Sequence, residues 1–189
     1  MEAIEHIGQA FAELRRAGTP PLHGWQPRES LDIGLRIAAD GQWYYRGSVI
    51  RRRRLVALFG SVLRLEPDGG HYLITPRLKY PVTVDDAPFQ AVEVQRQGAG
   101  RAQNLVFRTN VDDWVLADRA HPVRVETDPG TGRVSPRIEV RDGLQARICR
   151  SVYYELARML EPDNNANDEG EILGIYSAGE FFPFGRLTD

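Results

Sequence analysis

The spacing of apolar residues changes along this chain from helical to strand-like. Over Glu2–Ala17 the apolar residues recur every three or four positions, which predicts an amphipathic helix. They are Ile4, Ile7, Phe11 and Leu14. Gly18 and then Pro20 end this pattern, so we expect a helical extension ahead of the first sheet.

After residue 30 the apolar and polar residues alternate, which predicts paired strands. Ile33, Leu35 and Ile37 fall on one side of a strand. Asp40-Gly41 indicates a tight turn, and a return strand follows at Trp43–Tyr45. Further predicted strands span Tyr72–Thr75, Lys79–Val84, Gln90–Arg96, Asn104–Thr109, Trp114–Ala117, Val123–Glu126, Arg137–Val140, Ile172–Tyr176 and Phe181–Phe184.

An ordered run of signals occurs twice, from residue 40 and again from residue 142. Each copy has an Asp-Gly turn, an Ile-x-Arg sequence, a segment with helical spacing and a Glu-Pro-Asp sequence. The copies are Asp40-Gly41, Ile50, Arg52, Leu55–Leu63 and Glu66-Pro67-Asp68, then Asp142-Gly143, Ile148, Arg150, Ser151–Leu160 and Glu161-Pro162-Asp163. A long period that is present only twice suggests two related subdomains docked together.

We therefore expect an α+β fold with mostly antiparallel, curved sheets and one helix in each subdomain. The predicted organisation is a helical extension over residues 1–18, an N-terminal α+β subdomain over 19–84, and a C-terminal β-rich subdomain with one helix over 85–189. Because ligand clefts often lie where domains adjoin, we expect a site at the subdomain interface.

Composition narrows the class of protein. The 189 residues are 42% hydrophobic, and the single cysteine, Cys149, excludes an internal disulfide. Glu2, Glu5 and Glu13 are unlike a signal peptide, and the longest apolar runs are too short to span a membrane, so we expect a soluble cytoplasmic protein. A net charge of −2 argues against nucleic acid as a partner, and we expect no membrane partner either.

The basic residues are unevenly distributed. Lys79 is the only lysine, which makes it a candidate for a site that needs a compact ammonium group, although codon bias also explains the arginine excess. Arg51–Arg54 precede or open a predicted helix, where four cations are poorly placed against the positive helix end. A solvated face with Arg52 in an ion pair, an anionic ligand and nucleic acid are the alternatives.

No motif for metal, cofactor or covalent chemistry is present in the sequence. The histidines His6, His23, His71 and His121 are scattered. The acidic segment Asp163–Glu171 fails the calcium-loop pattern because its sixth position is Asp168 and its twelfth is Gly174. There is no Walker loop, dinucleotide-binding glycine pattern or nucleophile elbow, so we predict no cofactor and no metal.

Several segments in order and at similar spacing resemble the bacterial family called domain of unknown function 1285. The most specific part of the resemblance is Thr75-Pro76 with Lys79 three positions later, followed by Asp85-Asp86-Ala87-Pro88-Phe89. Others are Pro20–Trp25, Asp32–Trp43, Ile50–Phe59, Thr109-Asn110-Val111, Arg141–Leu156 and Gly174–Gly185. The resemblance covers residues 20–185, and the predicted helix Glu2–Ala17 lies outside it.

The resemblance implies two related subdomains, the C-terminal one loosely like a pleckstrin-homology fold. It also implies a small, nucleotide-like ligand at the subdomain interface and a role in signalling. Where relatives often have Glu before the lysine, this chain has Leu78, which weakens any site that needs a Glu–Lys pair.

Seven polar residues are candidates for binding a ligand. They are Thr75, Lys79, Asp85, Asp86, Asn110, Arg141 and Ser177. Each has a structural alternative, since aspartates before proline and hydroxyls at strand ends commonly bond the local backbone.

The favoured hypothesis is a non-enzymatic module that binds an anionic or nucleotide-like small molecule, because the sequence contains no catalytic motif. The alternative is a protein–protein interaction or scaffold domain. An enzyme that uses Asp85, Asp86 and Lys79 is a third hypothesis, but no nucleophile and base accompany the two carboxylates.

Overall fold

The computed structural model describes residues 24–127, 134–163 and 172–186. The chain divides into two compact units, Met1–Pro88 and Phe89–Asp189, called here the first and second units. The predicted helix over Glu2–Ala17 lies outside the described residues, as does most of the acidic segment that follows Asp163.

The first unit is built on a seven-stranded sheet and one described helix. Its elements are β1 (Glu29–Ser30), β2 (Leu35–Ile37), β3 (Trp43–Tyr45), β4 (Ser48–Val49), α1 (Arg53–Ser61), β5 (Leu63–Leu65), β6 (His71–Ile74) and β7 (Leu78–Val84). The sheet order is β4-β3-β2-β7-β6-β5, and β1 also pairs with β7. Both β1 and β2 run parallel to β7, while the other neighbours are antiparallel.

Alternation in the sequence decides which face of this sheet is buried. Leu35 and Ile37 are buried on one side of β2, and Arg36 between them is exposed. Trp43 lies opposite Ile37 and contacts Phe59 of α1, with ring centroids 5.9 Å apart. The helix ends at Ser61, earlier than its apolar spacing predicts, because Leu63 already belongs to β5 and pairs with Leu73 of β6.

The second unit contains a six-stranded sheet, one described helix and a three-stranded sheet. Its elements are β8 (Phe89–Gln97), β9 (Asn104–Thr109), β10 (Trp114–Leu116), β11 (Val123–Thr127), β12 (Val134–Arg141), β13 (Leu144–Ile148), α2 (Arg150–Ala157), β14 (Glu161–Pro162), β15 (Ile172–Ser177) and β16 (Glu180–Arg186). The large sheet has the order β10-β9-β8-β13-β12-β11, and β14, β15 and β16 form the small one.

The two large sheets share one strand order. Counted from β2 in the first unit and from β8 in the second, three consecutive strands form an antiparallel meander, the next three form another, and the first and sixth strands pair parallel at the centre. The α+β class, with two related subdomains and one described helix in each, is confirmed.

The sequence repeat and the repeated sheet are offset from each other. Asp40-Gly41 lies between the first two strands of its sheet, whereas Asp142-Gly143 lies between the last two. Consequently α1 stands between the third and fourth strands, while α2 follows the sixth. The turns themselves also differ, since Asp142 and Gly143 form a two-residue hairpin with positive φ at both residues, whereas five residues, 38–42, join β2 to β3 and only Gly41 of the first Asp-Gly pair has positive φ.

Buried hydrogen bonds join the small sheet of the second unit to β9. The Ser177 hydroxyl accepts the backbone N–H of Leu105 at 2.9 Å, and both residues are fully buried. The Gln103 side-chain amide donates to the carbonyl of Tyr176 at 2.8 Å, and the Gln103 carbonyl accepts the N–H of Ala178 at 3.0 Å. These three bonds fix the end of β15 against β9.

Replacing Ser177 by Ala is expected to lower the free energy of unfolding by about 1–3 kcal/mol, because the buried N–H of Leu105 loses its acceptor. Urea unfolding followed by circular dichroism measures the change. Ser48→Ala, on an exposed strand, serves as the control, with an expected change within about 0.5 kcal/mol. Equal effects of the two substitutions would contradict the role assigned to Ser177.

Gly174→Ala is expected to destabilise the protein by about 1–3 kcal/mol through overpacking. An added methyl group at Gly174 would overlap the carbonyl oxygen of Phe182 and come within 2.5 Å of the Phe181 ring. Gly185→Ala in the neighbouring strand is the matched control, since its methyl group would meet nothing within 4 Å. In thermal melting, the Tm of Gly174→Ala should be clearly lower than that of Gly185→Ala. Equal melting temperatures would contradict the close packing of β15 against β16.

Candidate functional site

A cavity of about 500 Å³ lies in the first unit, between the segment that precedes β1 and the end of β5. Its lining residues are Gln26, Pro27, Arg28, Arg64, Leu65, Glu66 and Pro67. Small-molecule sites commonly have volumes of roughly 300–1,000 Å³, so the cavity is large enough for a metabolite.

Arg64 holds the two walls of the cavity together. Its Nη1 donates to the carbonyl of Trp25 at 2.9 Å, and its Nε and Nη2 pair with the carboxylate of Glu66. The Arg64 and Glu66 side chains are each only 17% exposed. Because all three of its guanidinium nitrogens already have partners, the Arg64 side chain is held in one position and forms one side of the cavity.

The charges of the lining are not balanced. Two guanidinium groups, Arg28 and Arg64, face one carboxylate, Glu66. Arg28 is exposed, and no ion pair of Arg28 occurs among the described residues. His71 lies opposite Leu65, and burial lowers its pKa, so it is neutral at pH 7 and adds no charge. The cavity therefore carries one excess positive charge at neutral pH.

The turn between β5 and β6 continues from the cavity lining and is firmly ordered. Asp68 accepts the N–H of Gly70 at 2.8 Å and the Tyr72 hydroxyl at 2.9 Å. The Gly70 N–H foremost, and then the Tyr72 hydroxyl, lower the pKa of Asp68. The ammonium of Lys79 lies 4.3 Å from the centroid of the Tyr72 ring, a cation–π contact. Lys79 is thus linked to the edge of the cavity through Tyr72 and Asp68.

Thr75, another candidate residue, lies in the turn between β6 and β7. Its hydroxyl donates to the carbonyl of Leu78 at 2.6 Å and accepts the N–H of Leu78 at 2.9 Å. These bonds close the turn locally, in the manner common for threonine.

Asp85 and Asp86 follow the end of β7. The Asp85 carboxylate forms a fork with the Nε and Nη2 of Arg36, and the Nε bond is 2.9 Å long. This hydrogen bonding by Arg36 lowers the pKa of Asp85. Asp86 is half-buried beside it. Asp85 follows Lys79 by six positions of extended chain, roughly 20 Å, so β7 does not bring the ammonium and this carboxylate together.

Asn110 and Arg141 both contact the start of β8 in the second unit. The Asn110 side chain accepts the N–H of Gln90 at 3.0 Å. Arg141 donates to Asp113 at 2.9 Å, and its guanidinium lies 5.3 Å from the centroid of the Phe89 ring. The structure therefore places these two candidates around Phe89 and Gln90.

Cys149 and Ser177 of the second unit both form side-chain hydrogen bonds. The Cys149 thiol donates to Gln90 Oε1 at 3.6 Å, and burial raises its pKa, so it is a poor nucleophile at neutral pH. Ser177 is the buried acceptor described above for the N–H of Leu105.

The residues of the cavity were not among the sequence-based candidates. The helical spacing of the sequence extends to Leu63, which hides the relation between Arg64 and Glu66. In a strand, residues two apart share a face. The alternation Leu63-Arg64-Leu65-Glu66 was the signal that could have found this pair.

The described part of the chain contains neither a metal-binding cluster nor a membrane-spanning helix. Among the described residues, no three His, Cys, Asp or Glu side chains gather into a group that could hold a metal ion. Within residues 24–127, 134–163 and 172–186, no helix is both long and apolar enough to cross a membrane.

Comparison with known proteins places the chain in a family. A family model described as the N-terminal domain of DUF1285, a domain of unknown function, matches residues 20–87, and one for its C-terminal domain matches residues 88–184. No curated protein is similar enough to count as a match.

Two solved structures are similar to the chain. A DUF1285 family protein from Silicibacter pomeroyi DSS-3 is 41% identical, with 90% of this chain and 89% of that chain covered and a TM-score of 0.80. A DUF1285 family protein from Shewanella baltica OS155 is 25% identical, with 68% and 93% covered and a TM-score of 0.53. With both family models matched in order along nearly its whole length, the chain belongs to the DUF1285 family.

Proposed function

We propose that this protein is a non-enzymatic module that binds an anionic small molecule in the cavity of the first unit. The observation that carries the proposal is a cavity of about 500 Å³ lined by two arginines against one glutamate. Its excess positive charge favours a ligand with a carboxylate or phosphate group.

Arg28 is the residue assigned to the anion. The donors of Arg64 are directed at Glu66 and the Trp25 carbonyl, whereas Arg28 has no ion pair among the described residues. A planar guanidinium binds carboxylate or phosphate oxygens in pairs, which gives orientation as well as affinity. Because the Arg64–Glu66 ion pair is already formed, these two side chains lose little conformational entropy when a ligand binds.

Binding fits the lining better than catalysis does. The lining contains no serine, cysteine, histidine or lysine, and its one carboxylate already accepts from Arg64. General acid–base chemistry needs a group with a suitable pKa within reach of the substrate. The proposal therefore includes no reaction.

Three finer expectations from the sequence stay predictions. These are a ligand at the subdomain interface, a pleckstrin-like C-terminal subdomain and a role in cytoplasmic signalling. Nucleotide-like ligands are included among the probes below, because a phosphate group is one of the anions that Arg28 would bind.

Anion binding is tested by thermal melting of the protein with millimolar phosphate, citrate and adenosine monophosphate. A ligand at a hundred times its Kd stabilises the folded state by about 2.7 kcal/mol, so at least one probe should raise the Tm. Isothermal titration calorimetry should then show that Arg28→Ala raises the Kd for this probe at least about tenfold, or about 1.4 kcal/mol in binding free energy. The stability of the unliganded variant should change by less than about 0.5 kcal/mol, because Arg28 is exposed.

Arg96→Ala supplies the matched control, since Arg96 is also exposed and lies in the other unit. Its Kd for the probe should stay within about twofold of the unmodified protein, because Arg96 does not line the cavity. The proposal fails if no probe raises the Tm, or if Arg28→Ala and Arg96→Ala bind the probe equally well.

A further inference from the structure

Positive charge is concentrated in one segment of the first unit. From Gly41 to Leu65 the chain has six arginines and no aspartate or glutamate, although the whole protein has a net charge of −2. The remaining residues therefore carry an excess of acidic groups. Four of the six arginines are consecutive, Arg51–Arg54.

These four arginines surround the beginning of α1. All four are exposed, and Arg53 is the first residue of the helix. The first turn contains no acidic residue and no side-chain cap. The N-terminal end of a helix carries partial positive charge, so adjacent cations are unfavourable there unless an anion is nearby. Neither Arg51, Arg53 nor Arg54 has an ion pair among the described residues.

An exposed strand edge lies directly beside this arginine run. β4 is the terminal strand in the order of the seven-stranded sheet, and among the described strands it pairs only with β3. Both of its residues are exposed, including the apolar Val49 at 41%. Only Ile50 separates Val49 from Arg51. An edge strand presents unpaired backbone groups that can accept another extended chain.

We infer that β4 and Arg51–Arg54 together form a docking site for an extended acidic peptide segment of a partner protein. Such a segment would add a strand to the β4 edge, while its carboxylates pair with the arginines. Backbone pairing supplies affinity and the charges supply specificity and a fast association rate.

A short peptide fits the charge distribution better than a membrane or a nucleic acid. The arginine run is confined to a few residues, and the rest of the chain is acidic on balance. A long polyanion that extends past Arg51–Arg54 would also contact residues outside this segment, whose net charge is negative. A peptide of a few residues contacts the basic segment alone.

The test uses fluorescence anisotropy with a fluorescein-labelled twelve-residue peptide of alternating Glu and Val. The triple variant R51E/R53E/R54E should bind this peptide at least tenfold more weakly than the unmodified protein. The control variant R96E/R119E/R158E carries the same charge change at three exposed arginines of the second unit and should bind within twofold. If the control variant lost as much affinity for the peptide as R51E/R53E/R54E, the effect would be one of net charge alone and the proposal would be overturned.

Folding of the patch variant is checked independently. Glutamates at the start of α1 suit the helix dipole, so its melting temperature should be no lower than that of the unmodified protein. Arg52 is left in place in this variant. The single changes R51E and R54E should each weaken peptide binding measurably, and unchanged binding by both would overturn the assignment.

A second peptide separates strand addition from simple charge attraction. In alternating Glu and Pro the charge is kept, but every second backbone N–H is removed. This peptide should bind at least tenfold more weakly than the Glu–Val peptide, and equal affinity would overturn strand addition at β4. Tighter binding to phosphatidylserine vesicles or duplex DNA than to the Glu–Val peptide would likewise refute the choice of a peptide partner.

Discussion

The parallel pairing of two strands far apart in the chain organises each unit of this protein. β2 pairs with β7 in the first unit and β8 with β13 in the second, so a parallel pair joins the two antiparallel meanders at the centre of each large sheet. Parallel neighbours need a long crossover connection, and here that connection contains the other four strands. Every remaining strand takes its position from this central pair.

The cavity of the first unit depends on the same arrangement. β6 joins β7 to β5, and β5 carries Arg64 to the place where it meets the Trp25 carbonyl. β1 pairs with the start of β7 and fixes the segment that contains Arg28 from its other end. Backbone pairing thus sets the distance between the two walls, and Arg64 with Glu66 sets the chemistry of one of them.

Local pattern predicted much of the secondary structure and little of the strand order. Alternation at Leu35, Ile37 and Trp43 correctly identifies buried positions, because the two faces of a strand differ in exposure. The parallel central pairs were not predictable, since they join residues that only long-range contacts bring together. The repeat found in the sequence indicated two related subdomains, but it aligned local turn and helix signals and not the equivalent strands of the two sheets.

The candidate residues show the same limit. Thr75 bonds the local backbone, which was the structural alternative given for hydroxyls at strand ends. Asn110 accepts the N–H of Gln90 and Asp85 pairs with Arg36, and the sequence alone could not show these distant partners. Arg64 was missed because its strand was assigned to a helix, and an arginine at a helix end gives no signal of a binding site.

Lys79 has a further consequence for the chemistry of the molecule. Because it is the only lysine, side-chain acylation or attachment of a modifier protein to a lysine can occur at one position alone. That position is in contact with the Tyr72 ring. An acetyl group there would replace the cation by a neutral amide, abolish the attraction to the ring and remove a charge that helps to lower the pKa of Asp68. For the same reason, amine-reactive dyes would label only one lysine side chain, and it lies in the first unit.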